Sequence, residues 1–429
     1  MGENKVGELQ EALYRAAKAN TQRRFHALYD KTWRPDVLAE AWAKVRANGG
    51  AAGVDGKTIE DVEREGVPLF LEGLARDLRE KTYRPNPLRR VWIPKPNGKV
   101  RGLGIPTVRD RVAQTAAKMV LEPIFEADFE PCSFGFRPGR SPHDAVAQVV
   151  SYLNFGCERV IDADITGYFD NIPKSALMKA VARRVVDGAL LKLIRQWLDC
   201  GVMEGANLRR PDRGTPQGSP LSPLLANVYL DGLDKAWKES GLTSRESADA
   251  HLVRWADDFV ILAKGDVGKA KEALDAIVVN LGLTLSAEKT RVVDAEEGFD
   301  FLGFHFQRRY SAERGKRVTR WSPSKKSEKR IRARIHELTE NKVLSRGTAH
   351  TAKAEVVPVL RGWAEYARYS MAWESFGRVW WYAHTRLARL WRKSRHKRGL
   401  GRYRDLVRAG LGLMSIRPRP TPYGWRQEA

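Results

Sequence analysis

The chain has 429 residues, 42% of them hydrophobic, and carries a formal charge of +23. That length and apolar content exclude a disordered chain and call for two to four packed units. No apolar run reaches membrane-spanning length and the N-terminus lacks a signal-peptide pattern, so an intracellular protein is expected. Residues 301–429 hold 31 Lys/Arg against 9 Asp/Glu, a net +22, whereas residues 1–300 hold 44 against 43. Charge so concentrated points to a polyanionic partner, nucleic acid before membrane, because neutralising phosphates releases condensed counterions. Three widely spaced cysteines, Cys132, Cys157 and Cys200, suit neither a disulfide framework nor a zinc site.

Residues 1–50 place Leu9, Leu13, Phe25, Leu28, Val37, Leu38, Trp42 and Val45 at roughly helical spacing, and the glycines of "NGGAAGVDGKT" break the pattern. "VWIPKPNGKVRGLGIPT" (91–107) reads as a cationic hairpin with its turn at Pro96-Asn97-Gly98, followed by a helix over about 108–128. In "RVIDADITGYFDNI" (159–172) a strand puts Val160, Asp162 and Asp164 on one face, before a tight turn and a helix from about Pro173. "GTPQGSPLSPLLANVYL" is a Gly/Pro-rich loop entering an amphipathic helix, and "HLVRWADDFVILAKG" reads as strand, turn, strand. A helix over about 266–281, a short strand at Leu283–Leu285 and a strand-like piece at 298–306 complete an alternation of strands and helices. From about residue 312 the chain reads as basic and helical, with seven of its thirteen tryptophans after residue 300.

Asp257 and Asp258 stand side by side between apolar runs. Adjacent carboxylates repel and raise each other's pKa, and a hard divalent cation removes that repulsion. A lone Asp-Asp in a solvated turn needs no metal. Asp164, at the end of another predicted strand, changes the weighing: strand ends laid side by side gather three carboxylates, enough for two Mg²⁺ ions and in-line displacement at phosphorus.

"DADITGYFDNI", "GTPQGSPLSPLLANVYL" and "RWADDFVIL", in this order, resemble successive palm motifs of reverse transcriptases. With "GGAAGVDGKTI", "IPKPNGKVRGLGIPTVRDRVAQ", "SFGFRPGRSPHDA", "FLGF" and "LRGWAEYARYS", the chain resembles a group II intron-encoded reverse transcriptase/maturase along nearly its whole length. The resemblance implies an α+β right-hand polymerase with fingers, a ferredoxin-like palm bearing an antiparallel sheet, and an α-helical thumb/maturase domain. The expected divisions are 1–90, N-terminal extension and start of fingers; 91–158, fingers; 159–311, palm; and 312–429, thumb and maturase-specific RNA-binding domain.

Carried across residue by residue, the resemblance makes Asp164, Asp257 and Asp258 catalytic metal ligands, with the Ile165 carbonyl as an extra one. Lys95 and Arg101 match contacts to the incoming triphosphate, though by themselves they read as a solvated hairpin. Phe169 matches the bulky residue that excludes a 2′-hydroxyl, and otherwise reads as core. Gln217 matches the residue at the nucleotide and templating base, with Gly214 and Gly218 allowing close backbone approach. Lys289 matches a proton donor to pyrophosphate or is a plain surface lysine. Phe301, Leu302 and Gly303 match the primer-gripping hairpin, Phe301 serving equally as core. Trp255 departs from the family's usual tyrosine beside the primer end. Asp162 and Asp170 are left without a metal. The 31 residues after Arg398 contain neither cysteine nor histidine, which implies a compact, class C-like member without a His/Cys endonuclease. The implied function is RNA-directed DNA synthesis, splicing and retrohoming within a ribonucleoprotein, with intron RNA, an RNA template and DNA primer, dNTPs and target DNA as partners. A domesticated relative in phage defence, CRISPR or DNA repair, and a polymerase-inactive splicing cofactor, remain the alternatives.

Overall fold

The computed structural model describes residues 5–94, 100–313, 315–340, 348–393, 407 and 410–413. Lys95 and the turn at 96–98 lie outside them. The strands, in chain order, are β1 (Leu88–Pro94), β2 (Val100–Ile105), β3 (Arg159–Asp164), β4 (Val202–Glu204), β5 (Asn207–Arg209), β6 (Ala250–Trp255), β7 (Asp258–Ala263), β8 (Arg291–Asp294), β9 (Phe299–Phe301), β10 (Phe304–Ser311) and β11 (Lys316–Pro323). They form three sheets, ordered β2-β1-β4-β5, β6-β7-β3-β8 and β11-β10-β9.

The central sheet is antiparallel throughout. Its strands run β3, helices, β6, β7, helix, β8, the split βαβ connectivity of a ferredoxin-like fold. Period-two alternation splits the sheet's side chains between two cores. Ile161, Ala163, Phe259 and Ile261 join the larger cluster, with Leu224, Leu230, Leu274 and the helix Val108–Glu126. That helix is buried nearly throughout, Val112, Ala116, Ala117, Leu121 and Ile124 being joined inside by the polar Asp110, Arg111, Gln114 and Thr115. Thr107 caps it by accepting from Asp110 N at 3.1 Å. Val160, Val260 and Leu262 face the other way, into a cluster with Phe299, Phe301, Phe304, Phe306 and Trp321. Ala364, Ala367 and Phe376 bring the C-terminal helices into this second core.

The C-terminal helices Lys325–Thr339, Thr348–Ala367 and Trp373–Lys393 also share a core of their own, built on Ile331, Ile335, Val356, Leu360, Val379, Ala383 and Leu387. Among the described residues no helix is long and apolar enough to cross a membrane. The three cysteines are free. Burial raises their thiols, Cys157 to about 11 and Cys200 to about 12, which leaves them protonated and unreactive at neutral pH.

Several sequence-based expectations shift. Leu283–Leu285 is not a strand: its pairing stops at one antiparallel bridge, Leu285 to Ile165, just past the end of β3. The fourth strand is β8, whose half-exposed "RVVD" has no alternation to announce it. The piece at 298–306 is two strands, folded back at Leu302 and Gly303, both with positive φ (49° and 78°). The region after 312 is not helical from its start, since β11 pairs with β10 from Ser311↔Lys316 to Phe304↔Pro323. A division at 311/312 therefore falls in the turn of one hairpin. The three-residue strands β4 and β5 carried no sequence signal.

Candidate active site

The register of the central sheet assembles the site. Asp164, last residue of β3, lies directly opposite Asp258, first residue of β7, so both carboxylates leave the same face. Asp258 also pairs with Trp255 across the β6–β7 turn, leaving Ala256 and Asp257 as the two turn residues. Asp162 shares that face, as its spacing from Asp164 predicts, and accepts from Arg291 Nε at 3.1 Å. Asp164 Oδ2 accepts from Lys289 Nζ at 2.8 Å, and the segment carrying Lys289 is tied to β3 by Ser286 N donating to Asp164 O at 2.8 Å.

The carboxylates feel one another. Burial, then the charges of Asp162, Asp257 and Asp164, push Asp258 up to about 7 against the pull of Lys289. Burial foremost, with Asp164 adding to it, raises Asp257, while Arg101 and Lys289 oppose the rise. Among the described residues no three His, Cys, Asp or Glu side chains stand close enough to ligate one metal together, and Asp164 is engaged by Lys289. The donor chemistry nonetheless suits a hard divalent cation: oxygen ligands on adjacent strand ends, whose mutual repulsion a cation relieves.

Asp257 and Asp258 open into a cavity of about 630 Å³, within the size of small-ligand sites, together with Arg101, Phe169, Gln217 and Trp255. The loop bearing Gln217 is strapped down on both sides. Gly104 N donates to Gln217 O at 2.7 Å, and Thr215 N donates to Phe169 O at 2.7 Å. Gly214 and Gly218 both have positive φ, and a Cβ would come within 2.8 Å of Asp170 O and 2.7 Å of Gly104 O, so close backbone approach is what these glycines supply. The Gln217 carboxamide links two charges, donating from Nε2 to Asp170 Oδ2 at 3.0 Å and accepting from Arg101 Nε at 2.5 Å. Asp170, left without a metal in the sequence reading, thus fixes which end of that amide faces Arg101. Phe169 packs edge-on against Tyr168, centroids 5.5 Å apart.

The remaining expected residues do not line this cavity. Ile165 is buried at the end of β3. Phe301 is only 1% exposed, so its side chain supports the β9–β10 turn from the core and does not face a cleft, as its place in an alternating apolar strand dictates. Leu302 and Gly303 form that turn, held from the C-terminal helices by Tyr366 Oη donating to Leu302 O at 2.7 Å. Burial and the charge of Asp258 push the Tyr366 hydroxyl up to about 12, so this turn lies within electrostatic reach of the carboxylates.

Sequence reasoning missed what holds the acidic turn in place. Arg254 is completely buried, its guanidinium donating to Asp234 through Nε at 2.7 Å and Nη2 at 2.5 Å, to Ser133 Oγ at 2.7 Å, to Asn227 Oδ1 at 3.2 Å and to Ala256 O at 3.0 Å. Ala256 adopts φ +56°, a left-handed conformation unfavourable for alanine that this clamp helps to hold. Beneath it a Cβ on Gly135 would sit 2.5 Å from Ala256 N, while Asn227 Nδ2 donates to Gly135 O at 2.7 Å. A charged residue within a strand reads by default as facing solvent, so only the first position of "RWADD" hinted at Arg254. Arg111 was also missed: it lines the cavity and donates to Gly49 O and Ala51 O at 2.9 and 3.0 Å, fixing the glycine-rich stretch there.

Acidic strand ends of a ferredoxin-like sheet, opening on a nucleotide-sized cavity with cationic and amide groups opposite, define a template-directed polymerase palm. Residues 93–306 match the reverse transcriptase (RNA-dependent DNA polymerase) family and residues 328–410 the group II intron maturase-specific domain. The chain is 33% identical over 357 residues to protein YkfC of Escherichia coli K12, covering 75% of this chain and 93% of that one. It is 31% identical over 363 residues to the group II intron-encoded protein LtrA of Lactococcus lactis, covering 70% of this chain and 60% of LtrA, so it spans about three-fifths of that relative. Among solved structures it is similar to a partial Cas6-RT-Cas1–Cas2 complex at a TM-score of 0.35 and 24% identity, over 59% of this chain and 42% of that one. The chain belongs to the group II intron-encoded reverse transcriptase/maturase family.

Proposed function

We propose that this protein copies RNA into DNA at the Asp164–Asp257–Asp258 site, binds its parent group II intron RNA, promotes splicing, and reverse-transcribes the intron into target DNA during retrohoming. The observation that carries the polymerase reading is the β3–β7 register, which sets Asp164 against Asp258 at the cavity shared by Arg101, Phe169 and Gln217.

Asp164, Asp257 and Asp258, with the Ile165 carbonyl, would hold two Mg²⁺ ions, which when bound acidify the primer 3′-hydroxyl and neutralise charge at the attacked phosphate. The chain's own groups do the rest. Arg101, with Lys95, attracts the triphosphate. Phe169 closes the space a 2′-hydroxyl would need. Gln217, its amide oriented by Asp170, meets the nascent base pair. Trp255 packs beside the primer end, and the Leu302–Gly303 turn backs the primer. Lys289, which donates to Asp164 Oδ2, gives its proton to departing pyrophosphate in this reading. The basic helices from Lys325 onward supply cations to intron RNA.

Primer extension on an RNA template tests this. Asp257→Asn removes a carboxylate without changing shape, and is expected to reduce cDNA synthesis by at least 10³-fold while intron RNA binding in a filter assay stays within about twofold. Undiminished extension by the variant would refute the assignment.

A further inference from the structure

Phe136 lies in the same cavity as Asp257 and Trp255 and no role attaches to it. Three properties set it apart. The residue is 47% exposed although its side chain is large and apolar. Its backbone sits at φ +56°, a conformation disfavoured for any bulky residue and free only to glycine. The loop presenting it is rigid on both sides. On one side, Phe134 N donates to Arg254 O at 2.8 Å and Gly135 is wedged against the Trp255–Ala256 backbone. On the other, the buried Arg137 guanidinium donates to both oxygens of Glu126, at 2.6 to 3.0 Å, and to the carbonyls of Glu130 and Ser133, each at 2.8 Å.

The fold buries only about half of this residue. Glycine would fit the backbone better, and the residue lines the cavity. Strain kept by over-determined surroundings at a cavity wall is the signature of a side chain retained for a ligand. The ligand class follows from the neighbours. Beside an acidic turn and a second flat aromatic, in a cavity with a cation opposite, the exposed face suits a nucleobase, whose stacking on aromatic side chains is tolerant of sequence. We propose that Phe136 is a nucleic-acid contact, its ring packing on the base pair at the primer 3′ end.

The proposal rests on the polymerase reading of this cavity, and the test keeps the two apart. A DNA primer ending in 2-aminopurine, annealed to an RNA template, reports base environment by fluorescence in direct titrations that need no catalysis. Phe136→Gly is expected to melt at or above the wild-type temperature and to bind this duplex at least fivefold more weakly, with the 2-aminopurine signal on binding reduced. Phe136→Trp should bind within about twofold of wild type. Equal affinity and signal for Phe136→Gly, or a lowered melting temperature showing that the ring serves the fold, would overturn the proposal, as would failure of the wild type to bind the duplex. If the wild type binds but does not extend the primer, and Phe136→Gly still weakens binding, the polymerase reading fails and the contact stands. If extension depends on Asp257 but Phe136→Gly binds normally, the contact fails alone.

Discussion

Arg254 carries the strongest single-residue consequence of this architecture. A guanidinium withdrawn wholly from water loses its hydration, and five hydrogen bonds, two of them to the equally buried Asp234 carboxylate, take its place. The pairing outweighs burial, so the net displacement of Arg254's pKa is upward and the charge persists. Removing one partner of such a pair strands the other. Arg254→Met, close in volume, leaves Asp234 buried and unpaired and frees Ala256 O, at an expected cost of about 3–5 kcal/mol. Equilibrium urea unfolding measures it through the midpoint, and a change under about 1 kcal/mol would show that the pair contributes little. Arg254→Lys keeps the charge but not the planar fork, and is expected to fall between the two.

At the scale of elements, the acidic turn is only as well placed as the segment behind it. Residues 132–135 run beside β6, Arg254 N donating to Cys132 O at 2.8 Å, and Gly135 touches the turn backbone to backbone. An alanine at 135 would push its Cβ into Ala256 N, which has no flexible side chain to yield. Gly135→Ala is therefore expected to displace the turn, cost about 1–3 kcal/mol of stability and reduce primer extension far more than intron RNA binding. Measuring both on one preparation checks it, and parallel losses would mean global unfolding instead. Such contacts mark where sequence reading stopped. The apolar runs of "RVIDAD" and "HLVRWADDFVILAKG" made β3, β6 and β7 legible as strands covered on both faces, and the period of two put Asp162 and Asp164 on one face. The edge strand β8 and the three-residue β4 and β5 bury too little to leave a pattern. The pairing of Asp164 with Asp258, 94 positions apart, is a matter of register between distant strands, which only the motif resemblance supplied. The roles of Gly135, Arg254 and Phe136 come from backbone proximity and buried polarity, which no spacing along the chain encodes.

On the whole molecule, the net +22 of residues 301–429 against +1 for the remainder sets how RNA binding should be probed. Deleting residues 312–429 would be a poor test, because Trp321, Ala364, Ala367 and Phe376 belong to the core that also holds Val160, Val260 and Leu262 of the central sheet, and a weakened deletion would report unfolding. The exposed cations of the helix Lys325–Thr339 offer a cleaner one. Lys325, Lys326, Lys329 and Arg330 lie on its solvent side, while Ile331 and Ile335 hold the helix in the bundle, so reversing the four charges leaves the packing intact. Lys325→Glu, Lys326→Glu, Lys329→Glu and Arg330→Glu together are expected to weaken intron RNA binding about equally across structured RNAs, with the melting temperature little changed. Because each phosphate contact contributes roughly 0.7–0.9 to the slope of log affinity against log salt, losing four should flatten that slope by about 3. Titrations from 50 to 400 mM KCl measure it. A slope as steep as wild type would move the RNA footprint off this helix and onto other cations of the basic third.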